Sequence, residues 1–391
     1  MGESEALLTY GDYPFGLAEA DEERAERVHA EAIIIDLCFQ GPCSPDTWTP
    51  ELVEALESKL AASGQDWDAA YFFLQERAIA GDYPEYRELY RASGATAGIT
   101  EAILTGGHEE LLTNARRAAG MLTALAGARR AHTSEDFREA KRSDGIAFWG
   151  MCQFNFIRPW ELDQVDTAHA LGLMDTAELA YNRGTFIGTG CTEPNDPGLT
   201  RFGVDFVKHC NEIGVIVDTS HSGMTTTLDA CRISRHPVVA THTSAAAVYA
   251  HDRAKSDDEL RAIAATGGVI GVYCVPAFLS PPGDASTIER VLDHVEYIAG
   301  LVGREHLAIG TDWPLALPHP LQKRLLEPLF DEIGFSSSHR LDVTATLRGF
   351  RDYRDLRNIT RGLVARGYGD DHIKGILGEN FLRVFDAVRA A

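Results

Sequence analysis

Short runs of β-branched and apolar residues recur along this chain, and several are followed by a stretch with helical spacing. They fall at residues 33–37, 95–100, 146–151, 185–189, 215–219, 238–241, 268–273 and 307–311. A strand buried on both faces reads as a continuous run, unlike the alternation of a half-exposed strand. Between the fourth and fifth runs, residues 201–213 place Phe202, Phe206, Val207 and Ile213 on one side and stop at Gly214. That is an amphipathic helix with a glycine stop. Residues 225–234 read as a second such helix. Eight β-then-α units over about 280 residues fit a closed α/β (β/α)8 TIM barrel better than an open sheet. Residues 47–93 read as a helical insertion after the first strand, and 359–391 as helices packed outside. With no long linker and no fixed-period repeat, residues 1–391 are expected to form a single domain.

Composition narrows the partners. Thirty-six basic against 58 acidic residues leave a formal charge of −22, which argues against a nucleic-acid or anionic-membrane partner. The first thirty residues are acidic and polar, and no stretch reaches the roughly 18 apolar residues of a membrane helix. Seven cysteines, an odd and scattered set, suit thiols packed in a core within a reducing cytoplasm better than a disulfide framework.

The candidate chemistry lies at the ends of the runs. Asp218-Thr-Ser-His221 closes the fifth and Thr241-His242 the sixth, so two successive β-α units bring two imidazoles to one rim of a parallel sheet. The eighth ends in Asp312, the first in Asp36-Leu-Cys38-Phe-Gln40, the third in Cys152-Gln153 and the fourth in Gly190-Cys191. In a barrel the carboxyl ends of the strands carry function. Two histidines and a carboxylate around one mouth can hold a divalent metal and activate its water. Asp312 then suits a ligand, a general base, or both in turn. Taken singly, each histidine is most simply a hydrogen-bonded core residue, Asp312 a helix cap, and Cys38 and Cys152 packing residues. Together they form a candidate site. Arg253 offers a fork for a carboxylate.

These residues resemble the membrane (renal) dipeptidase family of the amidohydrolase superfamily. The likeness rests on Gly198-Leu-Thr-Arg-Phe-Gly, Asp218-Thr-Ser-His221, Thr241-His242-Thr-Ser-Ala, Gly267-Gly-Val-Ile-Gly, Ile309-Gly-Thr-Asp312 and Leu377-Gly-Glu-Asn-Phe-Leu-Arg-Val-Phe. It covers most of the chain after about Gly145. It implies that His221 and His242 bind the second of two metals, that Asp312 stands beside the first, and that Arg253 grips the substrate. Against that pattern, Cys38 and Gln40 replace a His-x-Asp metal pair. Cys152, or Gln153 if the register slips by one, replaces a bridging glutamate. Gly190 stands where a histidine would steady the substrate oxygen.

The expectation is therefore a divergent member: a dipeptidase-like hydrolase of the amide, or a related carbonyl bond, of a small carboxylate-bearing substrate. It would hold one Zn2+ on His221, His242 and Cys152, with Cys38 and Asp312 as further ligands. Stoichiometries of two or none stay open, as does a homodimer. The alternative is a protein that binds a small ligand, or does thiol or acid-base chemistry without metal.

Overall fold

The computed structural model describes residues 10–64, 67–104, 108–281 and 286–389. Eight strands form one parallel sheet: β1 (Ala97–Leu104), β2 (Ala128–Arg130), β3 (Ile146–Asn155), β4 (Thr176–Glu178), β5 (Ile216–Asp218), β6 (Val238–Thr243), β7 (Ile270–Val272) and β8 (Leu307–Ile309). The path runs β1-β3-β4-β5-β6-β7-β8, with β2 paired only to the start of β3. Residues 33–37 close the ring. Asp36 bridges Ile309 in parallel, Leu37 N–H donates to the Ile309 carbonyl, and Thr96 N–H donates to that of Ile34. The result is the expected (β/α)8 barrel.

Its interior is filled by side chains from successive staves, among them Ile33, Ile35, Ala147, Trp149, Met151, Ile216, Val239 and Ala308. Each large apolar side chain so buried contributes about 1.5–3 kcal/mol. The tail plugs the end where the strands begin: Ile35 N–H donates to the Leu377 carbonyl, and Asn380 Nδ2 donates to the Leu307 carbonyl at 2.8 Å. A Cβ on Gly378 would lie 2.4 Å from the Ile33 carbonyl oxygen, so only glycine lets the tail approach this closely.

The insertion is helical, as Pro50–Ser63, Trp67–Tyr71, Phe73–Ala80 and Glu85–Ser93. The helix Arg201–Ile213 has the expected bounds and Gly214 in the left-handed conformation. The tail helices run from Leu356 to Arg389, and residues 390–391 lie outside the described part. No helix among the described residues is long and apolar enough to cross a membrane. All seven cysteines are free thiols.

One strand expectation is corrected. Residues 185–189 form a turn in which Thr185 Oγ1 accepts from the N–H groups of Ile187 and Gly188. The fourth stave is β4, nine residues earlier, paired with Met151 and Cys152 on one side and with Ile216, Val217 and Asp218 on the other. Its start is held by Asp175, which accepts from Gly150 N–H at 2.6 Å and pairs with Arg130.

Candidate metal centre and active site

The strand ends are locked before any ligand enters. Asp218, at the end of β5, accepts hydrogen bonds from Ser220 N–H and Oγ and from Thr241 N–H and Oγ1. With its own proton committed to Asp218, Thr241 Oγ1 is left to accept from His242 Nδ1 at 3.0 Å. His221 Nδ1 lies 2.7 Å from Asn182 Oδ1, which can only accept. Both rings therefore carry their proton on Nδ1 and turn a bare Nε2 inward. The two Nε2 atoms stand 2.9 Å apart, which brings two lone pairs face to face.

Glu178, at the end of β4, completes the group. Its Oε1 is 3.8 Å from His242 Nε2, and both carboxylate oxygens are buried with no hydrogen-bond partner. The ligand atoms of Glu178, His221 and His242 all lie within 4.8 Å of one another. Burial holds both imidazoles well below their ordinary pKa, and the Arg253 guanidinium lowers them further. Burial also pushes the Glu178 carboxyl far up, with Asp218 adding to the shift and Arg253 opposing it. Two imidazole lone pairs facing each other beside a buried carboxyl group with no hydrogen-bond partner are an expensive arrangement that a divalent cation relieves. The donor set, two nitrogens and one carboxylate, is among those that hold catalytic zinc.

A second group shares His242, with Cys38 and Asp312, again within 4.8 Å. Here the polar atoms satisfy each other. Gln40 Nε2 donates to Asp312 Oδ1 at 2.8 Å, and the Cys38 thiol donates to the same oxygen at 3.4 Å. Tyr71, on the helical insertion, donates its hydroxyl proton to Gln40 Oε1 and so fixes which way the amide faces. Burial raises the Cys38 thiol well above its ordinary pKa, with Asp312 adding to it, so it is a thiol and not a thiolate. Asp312 is pushed up to about 6 by burial, while Arg253, Cys38 and Gln40 hold it down.

The structure separates the expected site residues. His221, His242, Cys38 and Asp312 converge. Cys152 does not: it points outward into the apolar cluster of Leu104, Leu173 and Ala177. Successive side chains on a strand alternate faces, so it is Gln153 that turns inward, its Nε2 3.4 Å from His242 Nε2. Gly190 is also displaced by the corrected strand. It packs against Asn182, where a Cβ would meet backbone atoms at 2.0 Å, and it leaves no room for a side chain. The positions at the end of the fourth stave are instead Glu178 and Tyr181, whose ring stacks on His221 with centroids 4.0 Å apart. Arg253 is fully buried. Its Nη1 donates to the Ser220 carbonyl at 2.9 Å, while Nε and Nη2 have no hydrogen-bond partner.

Above this floor lies a cavity of about 300 Å³. Gln40, Gln153, Tyr181, His221 and Asp312 reach into it; Arg253 is not among its lining residues, so the expected carboxylate fork does not open onto it. Glu101, on β1, also lines it and is pushed up to about 7, first by burial and then by Asp68. Glu178, Asn182, Tyr181 and Glu101 escape a reading based on apolar runs. The run at residues 185–189 takes the fourth stave's place in the sequence, so the acidic pair Asp175 and Glu178 is passed over.

Fold and site together define a (β/α)8 barrel protein with a candidate divalent-metal centre at the carboxyl ends of its strands. Comparison with known proteins gives the family. The model of the membrane dipeptidase family (peptidase family M19) matches residues 114–322 and 330–391, and the chain belongs to that family. Dipeptidase verJ of Clonostachys rogersoniana is 33% identical over 202 residues, 51% of this chain and 44% of that protein. An uncharacterized protein in the pqqA 5' region of Klebsiella pneumoniae is 31% identical over 209 residues, 52% of this chain and 65% of that protein. The chain spans about half the length of the curated relatives it matches. Among solved structures, an amidohydrolase from Pseudomonas aeruginosa shares the fold with a TM-score of 0.70 at 24% identity, covering 94% of this chain and 99% of that one.

Proposed function

We propose that this protein is a metal-dependent hydrolase that cleaves the amide, or a related carbonyl bond, of a small molecule, using one metal per chain. The observation that carries the reading is Glu178: a buried carboxylate with both oxygens unpaired, facing two bare imidazole nitrogens. His221 Nε2, His242 Nε2 and the Glu178 carboxylate are the groups that would hold the cation. A cation there supplies Lewis acidity, polarising a carbonyl and making water a nucleophile near neutral pH. Zinc suits two imidazoles and a carboxylate, as do manganese and iron.

The chain's own residues supply the rest. Asp312, ionised above about pH 6, takes a proton from the attacking water and returns it to the leaving amine as the C–N bond breaks and the new C–O bond forms. Gln40 and Cys38 occupy the other half of the mouth and aim the Asp312 carboxylate. Tyr181, whose phenol stays protonated because burial raises it well above its ordinary pKa, lines the cavity beside His221 and is placed to donate to the substrate oxygen. Arg253 acts through its charge, keeping both imidazoles neutral and Asp312 ionisable. Cys38 as a metal-free nucleophile fits poorly, because its thiol is held protonated.

The test is elemental analysis of protein purified without chelator or metal resin. About one metal per chain is expected in the wild type, and close to none in His221→Ala or Glu178→Gln, with amide hydrolysis lost alongside. A metal-free wild type after supplementation, or full activity in either variant, would overturn the proposal. Two metals per chain would mean that Cys38 and Asp312 hold a second cation beside the first.

A further inference from the structure

The cavity lining combines an apolar segment with acidic side chains from other elements, and that combination bears on the substrate. From the Asp312 side the chain continues through residues 313–343 and lays Trp313, Leu326, Ile333, Phe335, Leu341 and Val343 along one wall, joined by Phe278. No charged side chain from residues 313–343 lines it. The lining also includes Asp68, Glu101 and Glu110, together with Trp67, Tyr71 and Phe72, and the described lining residues include no Lys or Arg. An apolar group of phenyl or branched-alkyl size entering this space trades water for Trp313, Phe335 and Leu341 and gains on the order of tenfold or more in affinity. A carboxylate against residues 313–343 would lose its water and find no Lys or Arg among the described lining residues, in a cavity whose lining also carries Asp68, Glu101, Glu110 and Asp312.

We infer that the substrate presents a bulky, apolar, non-anionic group to the wall formed by residues 313–343, so that the wall selects apolar amides and rejects acidic ones. This deepens the hydrolase reading and rests on it. The arrangement also departs from the sequence expectation of a carboxylate-bearing substrate, because Arg253, the arginine offered for that role, does not line the cavity.

The inference is read by calorimetric titration of the full metal-loaded chain with three metal-directed probes: acetohydroxamic acid, 3-phenylpropionohydroxamic acid and succinic monohydroxamic acid. The expected order is phenyl tightest by at least tenfold over acetyl, and the succinyl acid weakest. Leu341→Asp and, separately, Phe335→Ala should each shrink the phenyl-to-acetyl ratio at least fivefold. Having two variants covers the case in which one fails to fold. Equal binding of the phenyl and acetyl probes, or tightest binding of the acid, overturns the inference while leaving a metal-bound hydrolase intact. No binding of any probe to a chain that holds no metal sinks the hydrolase reading, and this inference with it.

Discussion

Two carboxylate clamps hold the barrel mouth, and they lead to opposite chemistry. Asp218 ties β5 to β6 through Ser220 and Thr241. Asp36 ties the first stave to the end of β8, accepting from Thr311 N–H and Oγ1 and from Cys38 N–H. Each clamp is a buried aspartate saturated by hydroxyl and backbone donors, and each fixes the side chains one or two residues further on. On the Asp218 side those side chains end as bare imidazole nitrogens beside the unpaired Glu178. On the Asp36 side Cys38, Gln40 and Asp312 donate to and accept from one another. The same scaffold device therefore frames an electron-rich hole in one half and a closed hydrogen-bonded knot in the other. The two candidate groups therefore differ in whether the protein leaves their lone pairs without protons, and not in the count of ligand-type residues.

The sharpest way to break this contrast is to open the knot. Gln40→Glu keeps the length of the side chain and replaces the amide donor with a second carboxylate beside Asp312. Without a cation, two carboxylates at the 2.8 Å spacing now held by Gln40 and Asp312 repel. With one, the introduced carboxylate joins Asp312 and Cys38 in a three-ligand set, His242 Nε2 being taken by the first cation. The expected result is a rise from about one to about two metals per chain by elemental analysis. A stoichiometry that stays at one would show that more than the Gln40 amide closes that half. Tyr71→Phe, which only frees the amide to turn, should have a smaller effect: a weaker hold on Asp312, read as a shift in the acid limb of kcat/KM with metal content unchanged.

A smaller effect separates the two candidates on β3. Cys152→Ser places a hydroxyl in the apolar cluster between strand and helices and should cost about 1–3 kcal/mol of stability, with metal content unchanged. Loss of metal without loss of stability would return Cys152 to the ligand set.

How far the sequence discloses this arrangement depends on what each stave carries. β5 and β6 are legible because their functional residues follow uninterrupted β-branched runs, so Asp218, His221 and His242 stand out at the ends. β4 is hidden because Asp175, just before it, and Thr176 and Glu178 within it are polar yet buried. Burial of that kind leaves no apolar signature, and the run at residues 185–189 took its place. The choice between Cys152 and Gln153 turns on which face of β3 each residue occupies, which depends on register with β1 and β4 and not on local composition. The Tyr71–Gln40–Asp312 chain joins residues more than 240 positions apart, a link only the folded insertion makes.

The gentlest perturbation concerns Glu101, which lines the cavity away from both clamps. Its carboxyl is pushed up to about 7 from an ordinary value of 4.5, mainly by burial and then by Asp68, with Arg117 and Tyr71 opposing. Between those two values the folded chain holds a proton that the unfolded chain has lost, so this residue makes stability fall as pH rises from about 4.5 to about 7, and contributes no slope above that. Gln in its place has no proton to lose. In urea unfolding of the metal-free protein, Glu101→Gln should therefore gain about 1–3 kcal/mol on the wild type on going from pH 5 to pH 8. Parallel profiles for the two proteins would show that Glu101 ionises in the folded cavity as readily as in water, and that the acidic wall is better hydrated than its burial implies.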